Sequence, residues 1–327
     1  PLTPKKVQAQ TPLVRRLTHS QYNNTVRDLL GDESRPALQF PQEDFIHGFK
    51  NMAEGQGIPP LLAEAYTAAA ERLALNAFRG GDRKKLIPCT PSGPADAACA
   101  NTYVSEFGLK AFRRPMEDLE VERYVQELLE AAKHDKDFNA GAKLVVEAML
   151  QSPHFLLHVE QGPNGKWTQF RTASRLSYFL WDTMPDAELL KRAADGRLGT
   201  REEVRTVAKR MLDMPQAKPA FEEFLAQWLR FDRALTTIRD RRFYPNFSTE
   251  LAAAMTEETK AMFNHLVWSD QDFREFFSAD YTFVNGELAR IYGMEPPAKE
   301  FAKVAYPPDS PRAGVVSQGL FLTLTSK

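Results

Sequence analysis

Arg175, Asp182 and Asp186 are the charged residues whose types and spacing come nearest to a catalytic set. Paired carboxylates held in a cleft can serve as general acid and general base. Arg175 and Asp182 stand seven residues apart, which on a continuous helix puts both on one face, two turns apart. The same residues also have a structural explanation. Asp186 follows Met184-Pro185, where it can cap the next helix, and buried Arg–Asp pairs commonly fix helix packing. The structural explanation is preferred, with a hydrolase using the three residues as the alternative.

His154 and His158 are four residues apart, the spacing that sets two imidazoles on one helix face for a metal. Glu160 follows them, but no His-Glu-x-x-His pattern is present, so partly buried histidines are the expectation. Glu43, Asp44 and Asn51 offer hard oxygen ligands from a loop, yet the spacing is not that of an EF-hand and Lys50 stands among them. A capped, solvated loop is expected there, and no metal site in this chain. Arg113-Arg114-Pro115 ends a helix, where cations suit the dipole. One of these arginines can pair with Glu117 or Asp118, and an anion clamp is the functional alternative for the pair.

Nucleophilic and nucleotide chemistry lack their usual carriers. The chain has no Gly-x-Ser-x-Gly elbow, no Gly-x-Gly-x-x-Gly and no Walker loop. Trp167, Trp181, Trp228 and Trp268 lie on helical faces and read as core rather than as a cofactor or sugar platform. The only cysteines, Cys89 and Cys99, sit in a Pro/Ser/Ala/Gly loop with neither zinc spacing nor a Cys-x-x-Cys-His haem attachment. Either they are two unrelated thiols or they form a local disulfide that pins the loop. The disulfide is preferred, and it implies an oxidising compartment.

The elements that must position these residues are helical. Thr18 with Gln21 and Thr200 with Glu203 are capping boxes, each followed by apolar residues at helical spacing. Further helices are expected over about 60–79, 96–114, 115–133, 138–151, 200–212, 215–231 and 248–268, with Val304–Tyr306 as a single short strand. Thr172 to Gly196 reads as two helices meeting at a corner. Leu176, Phe179, Leu180 and Trp181 form an apolar face, Pro185 breaks the run and Gly196 closes it. Residues 32–58 read as a long irregular loop. Lys+Arg 42 against Asp+Glu 43 leaves a net charge of −1, which gives no electrostatic case for nucleic acid. No run approaches the roughly 20 apolar residues that a membrane helix needs. The chain opens at Pro1 without a signal region, and 315–325 is still patterned near its end, so it reads as a fragment of a longer protein.

Several stretches together resemble a known set of modules. Arg15-Arg16-Leu17-Thr18-His19-Ser20-Gln21-Tyr22-Asn23-Asn24-Thr25-Val26-Arg27-Asp28-Leu29-Leu30-Gly31 and the loop ending His47-Gly48-Phe49-Lys50-Asn51 are similar to the opening of the planctomycete-type cytochrome-associated domains of unknown function. Ala111-Phe112-Arg113-Arg114-Pro115 resembles the module that follows. Ser174-Arg175-Leu176-Ser177-Tyr178-Phe179-Leu180-Trp181, Met184-Pro185-Asp186, Phe224 to Leu229 and Ala279 to Asn285 resemble the central one. Arg312 to Ser326 looks like the start of the next. Such modules occur in large exported proteins, often beside c-type haem domains, so the resemblance implies an extracytoplasmic setting. Lys50 stands where the family usually has an acid, and the pattern does not demand His154 or His158.

The expected fold is all-α, an irregular multi-helix bundle in two packed halves with long loops. Residues 1–17 form an extended arm, 18–161 the N-terminal modules with the cysteine loop, 166–309 the central module and 310–327 the start of a further one, with the main break at Gly162-Pro163-Asn164-Gly165. The expected function is an exported scaffold or docking module of a larger, cytochrome-bearing or surface-anchored protein. An extracytoplasmic enzyme, haem-linked or hydrolytic, is the alternative. No cofactor is expected in this chain, and any haem belongs on flanking or partner domains. The expected partners are other domains of the polypeptide or a redox or surface protein, with no nucleic acid and no membrane span.

Overall fold

Helix α1 (His19–Leu30) starts where the sequence calls for it. The Thr18 hydroxyl accepts from the Gln21 amide, and the Gln21 side chain accepts from the Thr18 amide, so two of the orphan donors of the first turn are satisfied. Gly31 ends the helix at φ 66, a left-handed conformation that glycine adopts without strain. The computed structural model describes residues 14–82, 85–158, 165–236, 239–240 and 242–325. Most of the expected arm, Glu160 and residues 162–164 of the expected break lie outside the described residues.

The fold is all-α, as expected. After α1 come α2 (Pro60–Ala77), α3 (Ala97–Phe112), α4 (Asp118–Asp135), α5 (Phe138–Gln151) and the single turn α6 (Pro153–Leu156). Helices α7 (Thr168–Leu180), α8 (Ala187–Ala194), α9 (Arg201–Leu212), α10 (Ala217–Trp228), α11 (Phe231–Thr236), α12 (Thr249–Trp268) and α13 (Glu275–Ser278) follow. A small antiparallel hairpin of β1 (Tyr281–Val284) and β2 (Ala302–Ala305) encloses α14 (Gly286–Tyr292), and α15 (Gly319–Thr325) comes last. The hairpin departs from expectation. The single strand foreseen near Val304 pairs with Tyr281–Val284, which four residues of sequence could not announce by alternation.

The chain packs as two compact units, one ending at Ala220 and one beginning at Phe221, so the division falls within α10. The first unit has two apolar cores. Tyr22, Tyr66, Leu73, Tyr103, Phe112, Leu128, Met149 and Phe155 belong to the larger, which α1 to α6 build. Phe170, Trp181, Leu189, Val207 and Met211 build the smaller, from α7 to α9. The second unit buries Leu225, Met262, Phe263, Phe276, Val284 and Leu288 around α12. Phe179 departs from the apolar face expected of α7, for it is 79% exposed. Trp228 and Trp268, expected in a core, are partly exposed and lie against Phe224, Phe276 and Phe221 rings instead.

Cys89 and Cys99 are joined in a disulfide, with Cα atoms 5.8 Å apart. Cys99 sits in the first turn of α3, where its amide donates to the Asp96 cap at 2.9 Å. The bond therefore ties the loop to the start of a helix. Replacing Cys99 with Ser is expected to remove about 2–3 kcal/mol, the closure entropy of a loop of this length. Urea unfolding with and without reductant checks this, and a midpoint indifferent to reduction contradicts it.

Candidate functional site

The structure separates the three residues weighed above as an alternative catalytic group. Helix α7 ends at Leu180 with Trp181 as its cap, so Asp182 lies beyond the helix, at φ 54. The premise of a shared helical face with Arg175 is thereby corrected. Asp182 turns instead to α1, where Asn24 Nδ2 donates to its carboxylate at 3.2 Å and to its carbonyl at 3.0 Å. Asp186 caps α8 by accepting from the Leu189 amide at 2.7 Å. It lines a cleft of about 310 Å³ with Asp28, Lys110, Trp181 and Thr183. There the Thr183 hydroxyl donates to the Asp28 carboxylate at 2.6 Å. Arg175, exposed on α7, lines a different cleft.

The two histidines also part company. His154 lies on α6, with Nε2 3.3 Å from the Glu120 carboxylate and its ring against Phe112. The helix ends at Leu156, and Leu157 is drawn into an antiparallel bridge with Arg16. His158 therefore lies outside the helix, and the shared i, i+4 face considered for a metal does not form. Its Nε2 is 3.2 Å from Gln21 Oε1, and its ring meets Tyr178 edge to face. Burial, and then the charges of Arg113, Arg15 and Arg175, push its pKa down to about 3, so it is neutral at ordinary pH. Glu43 and Asp44 diverge as well. Glu43 is buried and accepts from Arg16 at 3.2 Å and from the His19 amide at 3.0 Å, while Asp44 is exposed. Among the described residues no group of three metal-ligating side chains converges.

Arg113 and Arg114 are structural anchors. Arg113 is fully buried and left-handed at φ 56, and its guanidinium donates to the carbonyls of Ala111, His154, Phe155 and Leu157 at 2.6–3.1 Å. Arg114 grips Glu120 with two bonds of 2.8 Å and lies 4.0 Å from the Trp167 ring centre. Glu120, rather than the expected Glu117 or Asp118, is thus its partner, because its N3 position at the start of α4 faces the bend before the helix. Glu117 receives Lys166.

What sequence reasoning passed over is the cleft itself. It measures about 480 Å³ and is lined by Arg15, Arg171, Arg175, Gln21, His158 and Tyr178, among others. Only the i, i+4 spacing of Arg171 and Arg175 was visible in the chain; Arg15 joins them because the His158 amide donates to its carbonyl at 2.8 Å. A second feature passed over is Glu258, buried within α12, which accepts from Thr282 at 2.5 Å and Tyr292 at 2.7 Å. Burial pushes its pKa up to about 7.

Three family models match successive stretches of the chain. Residues 15–79 match PSD3, a protein of unknown function (DUF1587), residues 99–160 match PSD5 (DUF1595), and residues 167–294 match PSD4 (DUF1592). The chain thus carries three domains of this kind in series, the third of which runs across the division between the two compact units. No curated protein and no solved structure matches it.

Proposed function

We propose that the chain is a helical scaffold or docking module of a larger exported protein, with haem, where the polypeptide carries it, on other domains. In this reading 18–161 and 166–309 are its modules and 310–327 begins another. The observation that supports export is the Cys89–Cys99 disulfide, since such bonds form and persist in oxidising compartments. The scaffold reading draws on how the chemically able residues are used. Arg113 ties four carbonyls, Arg114 holds Glu120, Arg16 holds Glu43, and Asp186 caps a helix. Each defines where elements meet. Among the described residues no helix is long and apolar enough to cross a membrane.

Thiol titration of the denatured, unreduced protein purified from its own cells tests the proposal. No free thiol is expected. Two free thiols remove its support for export. A visible spectrum of the purified chain is expected to lack a Soret band, and a stoichiometric one overturns the placement of haem on other domains.

A further inference from the structure

Four polar side chains with no exposure to solvent meet in the core of the second unit: Glu258 and Thr259 on α12, Thr282 on β1, and Gln318 just after the turn Val315–Ser317. Apolar residues of like volume often join such elements as well as a buried carboxyl does. Here the polar groups stand in the order base, hydroxyl and carbonyl. The Thr282 hydroxyl donates to Glu258 Oε1 at 2.5 Å and accepts from Gln318 Nε2 at 3.3 Å. The carboxamide carbon of Gln318 is therefore one bond from an atom in contact with that hydroxyl oxygen. Gln318 Nε2 also meets the Met262 sulfur at 3.3 Å, a weak acceptor. The Thr259 hydroxyl donates to Gln318 Oε1 at 2.7 Å, against 3.3 Å to the Met255 carbonyl of its own helix. Tyr292 donates to the other Glu258 oxygen at 2.7 Å and accepts from the Gly319 amide at 2.7 Å, which holds Gln318 against the cluster.

We propose that Thr282 and Gln318 react with each other to form an intramolecular ester, with Glu258 carrying the proton. Thr282 Oγ1 attacks Cδ of Gln318 as its proton passes to Glu258 Oε1, and the Oγ1–Cδ bond forms. Thr259 steadies the charge that gathers on Gln318 Oε1. The Cδ–Nε2 bond then breaks, the proton held by Glu258 passes to the departing nitrogen, and ammonia leaves with the electron pair of that bond. No oxidant or co-reactant is consumed. Burial pushes the Glu258 carboxyl up to about 7, and a group that takes a proton and returns it works best near the ambient pH. Burial of all four side chains also keeps water from competing for the carbonyl. Groups fixed in this way react at effective concentrations of about 10⁵–10⁸ M, which offsets the greater stability of the amide. The cross-link ties β1 to the segment leading into α15, whether or not the chain is exported.

Intact mass spectrometry of the full chain, incubated overnight in its folded state, tests this. Most of the chains are expected to be lighter than the sequence by one ammonia, beyond the two hydrogens lost to the disulfide. Protease digestion is expected to release a pair of peptides joined through Thr282 and Gln318, which mild alkali separates. Thr282→Ser keeps a hydroxyl and is expected to lose ammonia as the parent does. Thr282→Val, Gln318→Glu and Glu258→Gln are expected to keep their full mass. Glu258→Gln still offers an oxygen to Thr282, so it removes the proton carrier and leaves the cluster in place. The joined peptides are read from the parent alone, so the outcome does not depend on how the variants fold. A parent of full mass overturns the proposal. So does an ammonia loss that persists in Thr282→Val or Glu258→Gln, as ring closure at Asn285-Gly286 would give.

Discussion

Arg113→Ala is expected to remove at least about 4 kcal/mol from the first unit, a large share of the roughly 5–15 kcal/mol that stabilises an ordinary domain. The guanidinium joins the end of α3 to the carbonyls of His154, Phe155 and Leu157, and it lies within 5.9 Å of the Phe155 and Tyr178 ring centres. Each buried carbonyl stripped of its donor costs about 1–3 kcal/mol, and the vacated volume removes further contacts. Lysine is not expected to rescue the site, because a compact ammonium cannot spread donors in the plane of a guanidinium. Arg113→Gly separates backbone from side chain. At φ 56 glycine relieves left-handed strain, so a residue retained for its backbone would gain stability on that change. The expected result is a large loss in all three variants, with glycine about 1 kcal/mol better than alanine. Urea midpoints at constant m value measure it, and a loss under about 1 kcal/mol in Arg113→Ala contradicts the role assigned here.

That anchor shows why some of the molecule was legible in the chain and some was not. Local rules carried the helices. Capping boxes at Thr18 and Thr200, the break at Pro185 and the cap at Asp186 act over three or four residues, and all are present as read. The disulfide was legible because the only two cysteines stand ten residues apart, although Cys99 proves to lie in the first turn of α3 rather than in the loop. Extrapolating a helical period failed wherever a helix stopped early. Asp182 falls just past the end of α7 and His158 just past α6, so spacings of seven and four residues ceased to mean a shared face. The cleft was illegible for a different reason. Arg15 and Arg175 line one cleft only because the segment before α1 pairs with Leu157, a contact between distant parts of the chain. Glu258 was hidden by its apolar neighbours on α12, and its partners Thr282 and Tyr292 come from the hairpin and α14.

Glu258 and the buried histidines lead to opposite pH responses in the two units. In the second unit the Glu258 carboxyl is pushed up to about 7 from 4.5, chiefly by burial and against the stabilising bonds from Thr282 and Tyr292. Between those values the folded unit holds a proton that the unfolded chain releases. This contribution is thus fully present below pH 4.5 and is lost as pH rises through 7, about 3 kcal/mol in all. His265, lowered by burial and then by Lys303, opposes it, but it lies near the surface at the hairpin. In the first unit the signs reverse. His158 and His19 are lowered to about 3 and about 4 from 6.5, both chiefly by burial, so their contribution is present above pH 6.5 and is lost as pH falls through those values. By pH 4.5 each is expected to have withdrawn about 2–3 kcal/mol. His154 adds to this, while Glu43, raised by burial, acts against it. Calorimetric melting between pH 7 and pH 4.5 is therefore expected to show one transition falling and another rising. Glu258→Gln flattens the rising one alone and His158→Gln reduces the slope of the falling one. Transitions that move together, or a Glu258→Gln variant with the parent's pH slope, would contradict the neutral carboxyl in the core of the second unit and with it the opposed response.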